Sequence, residues 1–174
     1  LYIIYCLGVY QMDRKEEYNK IAERVVGHVE NNTTDQAKNI LSVPTSDYTC
    51  KNRWNSEINK IFKELPLMLA LSIEIPNKGD YKSMEIVGIP VLITRDKESK
   101  VRAFRNVCSH RGAPLAGEEI GNKNRFTCPY HGWTYSNQGN LIGVLENDKF
   151  GELDKSCNGL QVLPCEEFGG MIFV

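Results

Sequence analysis

Histidine is scarce in this chain. His28, His110 and His131 are the three in 174 residues, so any chemistry that needs imidazole has few places to occur. A charge of one sign is also lacking: 21 Lys+Arg against 22 Asp+Glu leaves −1. No basic face for nucleic acid follows from that balance. No apolar run approaches the roughly 20 residues that cross a bilayer. The nearest, LYIIYCLGVY, has no basic stretch before it and no small-residue cleavage site after it. No repeat or low-complexity segment interrupts the chain. These absences turn the reading away from membranes, export and nucleic acid, towards a cytoplasmic globular protein. With 41% hydrophobic and 25% charged residues, the composition is ordinary for one.

Six cysteines are present. Disulfide frameworks belong to short secreted chains, and without an export signal reduced thiols and metal ligation are expected instead. Cys6, Cys50, Cys157 and Cys165 have no His or Cys at ligand spacing. They are expected to be inert, small apolar residues, although Cys157 and Cys165 are near enough in sequence to meet.

Residues 12–31 predict an amphipathic helix, with Tyr18, Ile21, Ala22, Val25, Val26 and Val29 on one face. "NNTTDQ" stops it, and His28 is expected on its surface or partly packed. Because Met12 opens this helix, residues 1–11 are taken as upstream of the natural start; an ordinary N-terminal strand or arm is the alternative. A second helix is expected over about 51–65, closed by Pro66. Beyond it the pattern becomes short strands with turn punctuation: LMLALSIEI (67–75), YKSMEIVG, IPVLITR, VRAFRNV, WTY, LIGV, and two strands in GLQVLPCEEFGGMIFV. The expected fold is therefore mainly β. An antiparallel β-sandwich spans 66–174, preceded by an α-helical N-terminal region over 1–65. The apolar run at Val174 reads as a cut rather than a terminus.

Two loops of the β part carry the chemistry. "NVCSHRGA" holds Cys108-x-His110, and "FTCPYHGW" holds Cys128-x-x-His131. A single zinc ion is usually held by Cys-x2–4-Cys and His-x3–5-His pairs, whereas these pairs are mixed and the first is short. Two metals fit better: each loop gives its Cys to one iron and its His to a second, with sulfides bridging them.

That is the ligand set of a Rieske [2Fe–2S] cluster. The run Cys-x-His, then Arg111 to Thr127, then Cys-Pro-Tyr-His-Gly-Trp resembles the N-terminal part of the large (α) subunit of Rieske non-haem iron oxygenases, as in ring-hydroxylating dioxygenases. "KGDY", "GIPVLITRD" and "FTCPYHGWTYSNQGNLIG" resemble it as well, over about 48–174. The resemblance implies that Cys108, His110, Cys128 and His131 bind the cluster. It implies electrons received from a reductase or ferredoxin, and passed to a mononuclear Fe(II) for O2-dependent hydroxylation in this or a neighbouring subunit. It also implies a homo-oligomer of the full-length protein. No histidine follows His131, so this chain cannot build the two-His, one-carboxylate iron site; the catalytic domain is expected to be absent from it. Substrate, and mono- against dioxygenation, are not legible.

Two neutral imidazoles in place of two thiolates make an added electron cheaper, placing Rieske potentials at about −150 to +300 mV. Respiratory Rieske proteins carry an extra Cys in each loop, where this sequence has Ala113 and Tyr130, and a serine donor where it has Trp133. Losing that donor predicts a potential near the low end. Around the ligands, Gly112 and Gly132 are expected to turn the loops tightly and aim amides at sulfur. Pro129 fixes the second loop. Trp133 and Tyr135 shield the cluster or simply pack in the core, and Arg111 is a docking residue or a solvated charge. The alternatives to an oxygenase portion are a stand-alone Rieske ferredoxin and a zinc-binding module.

Overall fold

The computed structural model describes residues 14–117 and 120–174. The predicted readings over residues 1–11, including Cys6, lie outside them. Two units divide after Tyr48. In the first, α1 spans Arg14–Asn31. His28 bonds Thr33 Oγ1 at 3.0 Å and Asp35 Oδ1 at 2.9 Å beyond its C-terminal end. The apolar face is exposed: Tyr18, Val25, Val26 and Val29 are all more than half accessible.

In the second unit, after a short α2 (Ser46–Thr49) that closes the first, α3 runs Lys51–Glu57 and passes directly into a π-helical turn, Ile58–Phe62. The expected helix over 51–65 is thus shorter and ends in a wider coil. Trp54 and Phe62 meet at 6.3 Å between ring centroids.

Among the described residues eleven strands follow, each paired antiparallel, so the expected antiparallel β architecture is present. The widest sheet has the order β5-β2-β3-β4-β9, from β2 (Asp80–Ile86), β3 (Ile89–Arg95), β4 (Val101–Arg105), β5 (Ile120–Asn122) and β9 (Val162–Leu163). A second sheet is β6-β7-β8: Arg125–Thr127, Thr134–Ser136 and Leu141–Gly143. A third is β1-β11-β10: Met68–Leu71, Met171–Phe173 and Glu166–Phe168. The run expected as one strand over 67–75 breaks after Leu71 into a 3-10 turn, Ser72–Glu74. The last stretch yields three strands rather than two.

Period-two alternation explains the layering. Along β3, Leu92 joins a core with Phe126, Tyr135 and Leu141 of the β6–β8 sheet. Its neighbours Val91 and Ile93 join another core with Ala70 of β1 and Ile172 of β11. The five-stranded sheet is therefore covered on both faces, which is why IPVLITR reads as a nearly continuous apolar run. Thr94 ties the middle sheet to the β7–β8 hairpin by donating to Asn137 O at 2.7 Å. Arg95 ties it to β10 through a two-pronged bond with Glu167, at 2.7 and 3.0 Å.

The remaining cysteines separate by environment. Cys165 is partly buried against the second core, and burial pushes its thiol up to about 11. Cys50 and Cys157 are exposed, and the Cys157 thiol donates to Asp154 Oδ2 at 3.2 Å. These two are surface thiols rather than small packing residues: Cys50 is the exposed residue before α3, and Cys157 ends a short 3-10 turn, Lys155–Cys157.

Candidate metal centre

Both motifs connect strands at one end of the first core: Cys108 follows β4, and Cys128 follows β6. Each folds into the same turn. Cys108 donates its N–H to Ala113 O at 2.8 Å and accepts from Gly112 N at 2.9 Å. Cys128 donates to Trp133 O at 2.7 Å and accepts from Gly132 N at 3.0 Å. The glycine four residues after each cysteine has a left-handed backbone, φ 72° at Gly112 and 67° at Gly132. Side chains rarely adopt that region, which explains glycine at both places. Each glycine's own N–H goes to the cysteine carbonyl and closes the tight turn that was expected.

The turn places the predicted donors together. Cys108 and Cys128 are each 3% exposed, and both thiols are free. The His110 and His131 rings lie 4.8 Å apart between centroids, inclined at 65°. Both imidazoles are partly exposed. Burial first, then the charges of His131 and Arg111, lower the His110 pKa and favour its neutral ring, the form a metal accepts. His131 Nδ1 is buried with no hydrogen-bond partner. A buried ring nitrogen without a partner, in the same turn as a buried free thiol, fits a metal-binding donor set. Among the described residues, no three of His, Cys, Asp and Glu gather as a set for one ion. A two-iron cluster asks each iron for only two protein donors, so these residues fit it.

The surroundings assign the neighbours. Trp133, 3% exposed, stacks on His110 at 4.9 Å and 9° while belonging to the first core, so it both packs and shields. Tyr130 is exposed and lies against His131 at 3.8 Å between centroids. Arg111 is exposed beside His110.

Three contacts were not legible in the sequence. Tyr135, fully buried, accepts from Ser109 N at 3.0 Å and has its hydroxyl 3.3 Å from Cys108 Sγ. Burial, then Cys108, raises its pKa, so the hydroxyl stays protonated beside the sulfur, and either group can be the donor between them. Asn106 accepts from Leu115 N and Ala116 N at 3.1 Å and donates to Ala116 O at 2.7 Å, closing the first loop. Phe150, from outside both motifs, meets His110 and Trp133 edge-on. An isolated aromatic in the polar stretch "ENDKFGELD" was its one signal.

Two loops on an antiparallel sandwich, each offering one thiol and one imidazole, define a mixed-ligand iron–sulfur domain. Residues 66–162 match the Rieske [2Fe-2S] domain model, and the chain belongs to that family. It is 33% identical over 133 residues to the carnitine monooxygenase oxygenase subunit of Escherichia coli (strain K12), covering 76% of this chain and 36% of that protein. It is 36% identical to the toluate 1,2-dioxygenase subunit alpha of Pseudomonas putida, covering 72% and 28%. Among solved structures it resembles naphthalene 1,2-dioxygenase from Rhodococcus sp. bound to indole, with TM-score 0.71, 36% identity, and coverage of 75% and 30%. The chain thus spans about a third of the length of the curated relatives it matches.

Proposed function

We propose that Cys108 and Cys128 ligate one iron of the cluster and His110 and His131 the other, and that this chain is the electron-transfer portion of a Rieske oxygenase. The observation that carries the reading is the repeated turn, which brings two imidazoles to 4.8 Å beside two buried thiols. When bound, the cluster supplies a one-electron couple whose potential the neutral imidazoles raise.

The chain's own residues supply the rest. The cysteines hold their thiolates out of water, and Tyr135 donates to one of them. The unpartnered His131 Nδ1 would be the ring atom that holds iron, which would leave Nε2 of that ring free to donate outward. Trp133 excludes water from one face of His110.

The similarity to oxygenase subunits supports the larger reading. The bound cluster would take electrons from a reductase or ferredoxin, and the imidazoles of His110 and His131 would offer N–H donors towards a catalytic domain whose mononuclear iron would serve O2-dependent hydroxylation. That domain belongs to this or a neighbouring subunit of a homo-oligomer; inter-subunit electron transfer is described for a quaternary ammonium Rieske monooxygenase that this chain resembles. Among the described residues no helix is long and apolar enough to cross a membrane, in keeping with a cytoplasmic location.

An EPR spectrum of the dithionite-reduced chain tests the ligand assignment. A rhombic signal of low average g is expected. An all-cysteine ferredoxin spectrum, or silence in zinc-loaded protein, overturns it.

A further inference from the structure

We propose that residues 144–159 form a third wall of the metal centre, in which Phe150 is a positioning residue that closes the flank of His110 and lowers the reduction potential of the bound cluster. This rests on the ligand reading above.

The segment belongs to neither motif, yet it holds both loops at separate points. At one end, Leu145 presses on the second loop: a Cβ built on Gly132 falls 2.9 Å from Leu145 Cβ. At the other, Gly159 O accepts from Ser109 Oγ of the first loop at 2.7 Å. Just before the first anchor Val144, and between the two Leu153, pack against the core that contains both cysteines. The anchored span therefore cannot move without disturbing the two loops.

Phe150 ends a 3-10 turn, Asn147–Phe150, that starts from Glu146 in the left-handed region and is followed by Gly151, also with positive φ. The turn carries its ring to 5.5 Å from His110, at 80°, and to 5.8 Å from Trp133, at 71°. With His110 and Trp133 parallel and 4.9 Å apart, the three centroids make a nearly equilateral triangle. Phe150 therefore stands beside the stack rather than on it, across the side that Trp133 leaves open. It is 37% exposed, so it lies at the boundary with solvent.

Position there has a redox consequence. Reduction adds negative charge, and water at the imidazole flank stabilises that charge more than an aromatic ring does. Cutting Phe150 back admits water and raises the potential.

The test is a redox titration of the cluster-loaded chain, followed by visible circular dichroism, with amide hydrogen exchange over 109–112 as a second readout. At a fixed potential, Phe150→Ala is expected to raise the ratio of reduced to oxidised protein about threefold or more and to speed exchange. Phe150→Leu gives a smaller change in the same direction. Phe168→Ala, removing an exposed ring on β10, is expected to change neither readout. Wild-type potential and exchange in loaded Phe150→Ala overturn the proposal. Should that variant fail to load, Leu145→Ala decides, because it loosens the same wall without touching His110; a wild-type potential there overturns it as well. An all-cysteine spectrum in the unaltered chain sinks the ligand reading and this proposal together. A Rieske spectrum with an insensitive Phe150→Ala sinks this proposal alone.

Discussion

The two cluster loops are the same turn held in different ways. Both run cysteine, glycine four residues on, and the same pair of backbone bonds. The histidine is the third residue of the first turn and the fourth of the second. That offset of one residue lets equivalent backbones, facing each other, present imidazoles that meet at 65° rather than in parallel. The supports also differ. Polar side chains hold the first loop: Asn106 across its base and Tyr135 at Ser109 and Cys108. Apolar contact holds the second: Leu145 against Gly132, and Tyr130 against His131. One Cys/His pair thus sits in a loop tied by two polar side chains, and the other in a loop that leans on packing, with Thr134 Oγ1 donating to Gly132 O at 3.3 Å beside it.

The largest effect tests whether the loops are equivalent at all. Replacing His110 or His131 by Ala is expected to abolish the [2Fe–2S] absorption in purified protein, equally from either loop. A loaded Rieske cluster in one of the two variants breaks the equivalence and removes that histidine from the ligand set.

Next comes the polar support. Asn106→Ala strips partners from three backbone groups near the end of the first loop, two of them on buried Ala116. Unsatisfied buried groups cost about 1–3 kcal/mol each, so a loss of about 3 kcal/mol is expected in denaturant unfolding. Hydrogen exchange at Leu115 and Ala116 should rise while the second loop stays protected. Equal exposure of both loops would show that they are not independently held.

The fold was legible where a residue's own spacing determines its role. Alternation along β3 and β4, the helix after Met12 and the glycines of the two turns all express local geometry. The proposal of the four donors starts from local spacing too, because mixed Cys/His pairs at short spacing suit a two-iron centre better than a single zinc site. What was not legible depends on contacts distant in sequence. Tyr135 reaches Cys108 across 27 positions, and Phe150 reaches His110 across 40. Short strands such as β5 and β6, three residues each, carry too little alternation to stand out from loops. The helix over 51–65 was overcalled for a related reason: its apolar spacing is helical, but the residues after Glu57 wind with a wider repeat.

The glycines separate the two supports more finely. Any side chain at a left-handed position costs about 1–2 kcal/mol, and this applies to both. A Cβ at Gly112 meets nothing within 4 Å, whereas one at Gly132 meets Leu145 at 2.9 Å. Overpacking adds about 1–3 kcal/mol. Gly132→Ala should therefore destabilise by about 3 kcal/mol in total and Gly112→Ala by about 1 kcal/mol, measured by thermal unfolding. Equal losses would mean that Leu145 yields freely and that the second loop is not held by packing.

The smallest effect isolates what the polar support contributes to function rather than to folding. Tyr135→Phe keeps the ring in the core and removes only the hydroxyl that faces Cys108 Sγ at 3.3 Å. A donor to a thiolate stabilises the more negative, reduced cluster, so its loss should lower the potential. If the bond differs between redox states by about 1 kcal/mol, the shift is about 40 mV for a one-electron couple. The hydroxyl sits against the first loop, so the lowering reports on that loop. An unchanged potential in loaded Tyr135→Phe would mean that the hydroxyl serves Ser109 N–H and not sulfur. In that case the difference between the loops would be one of folding only.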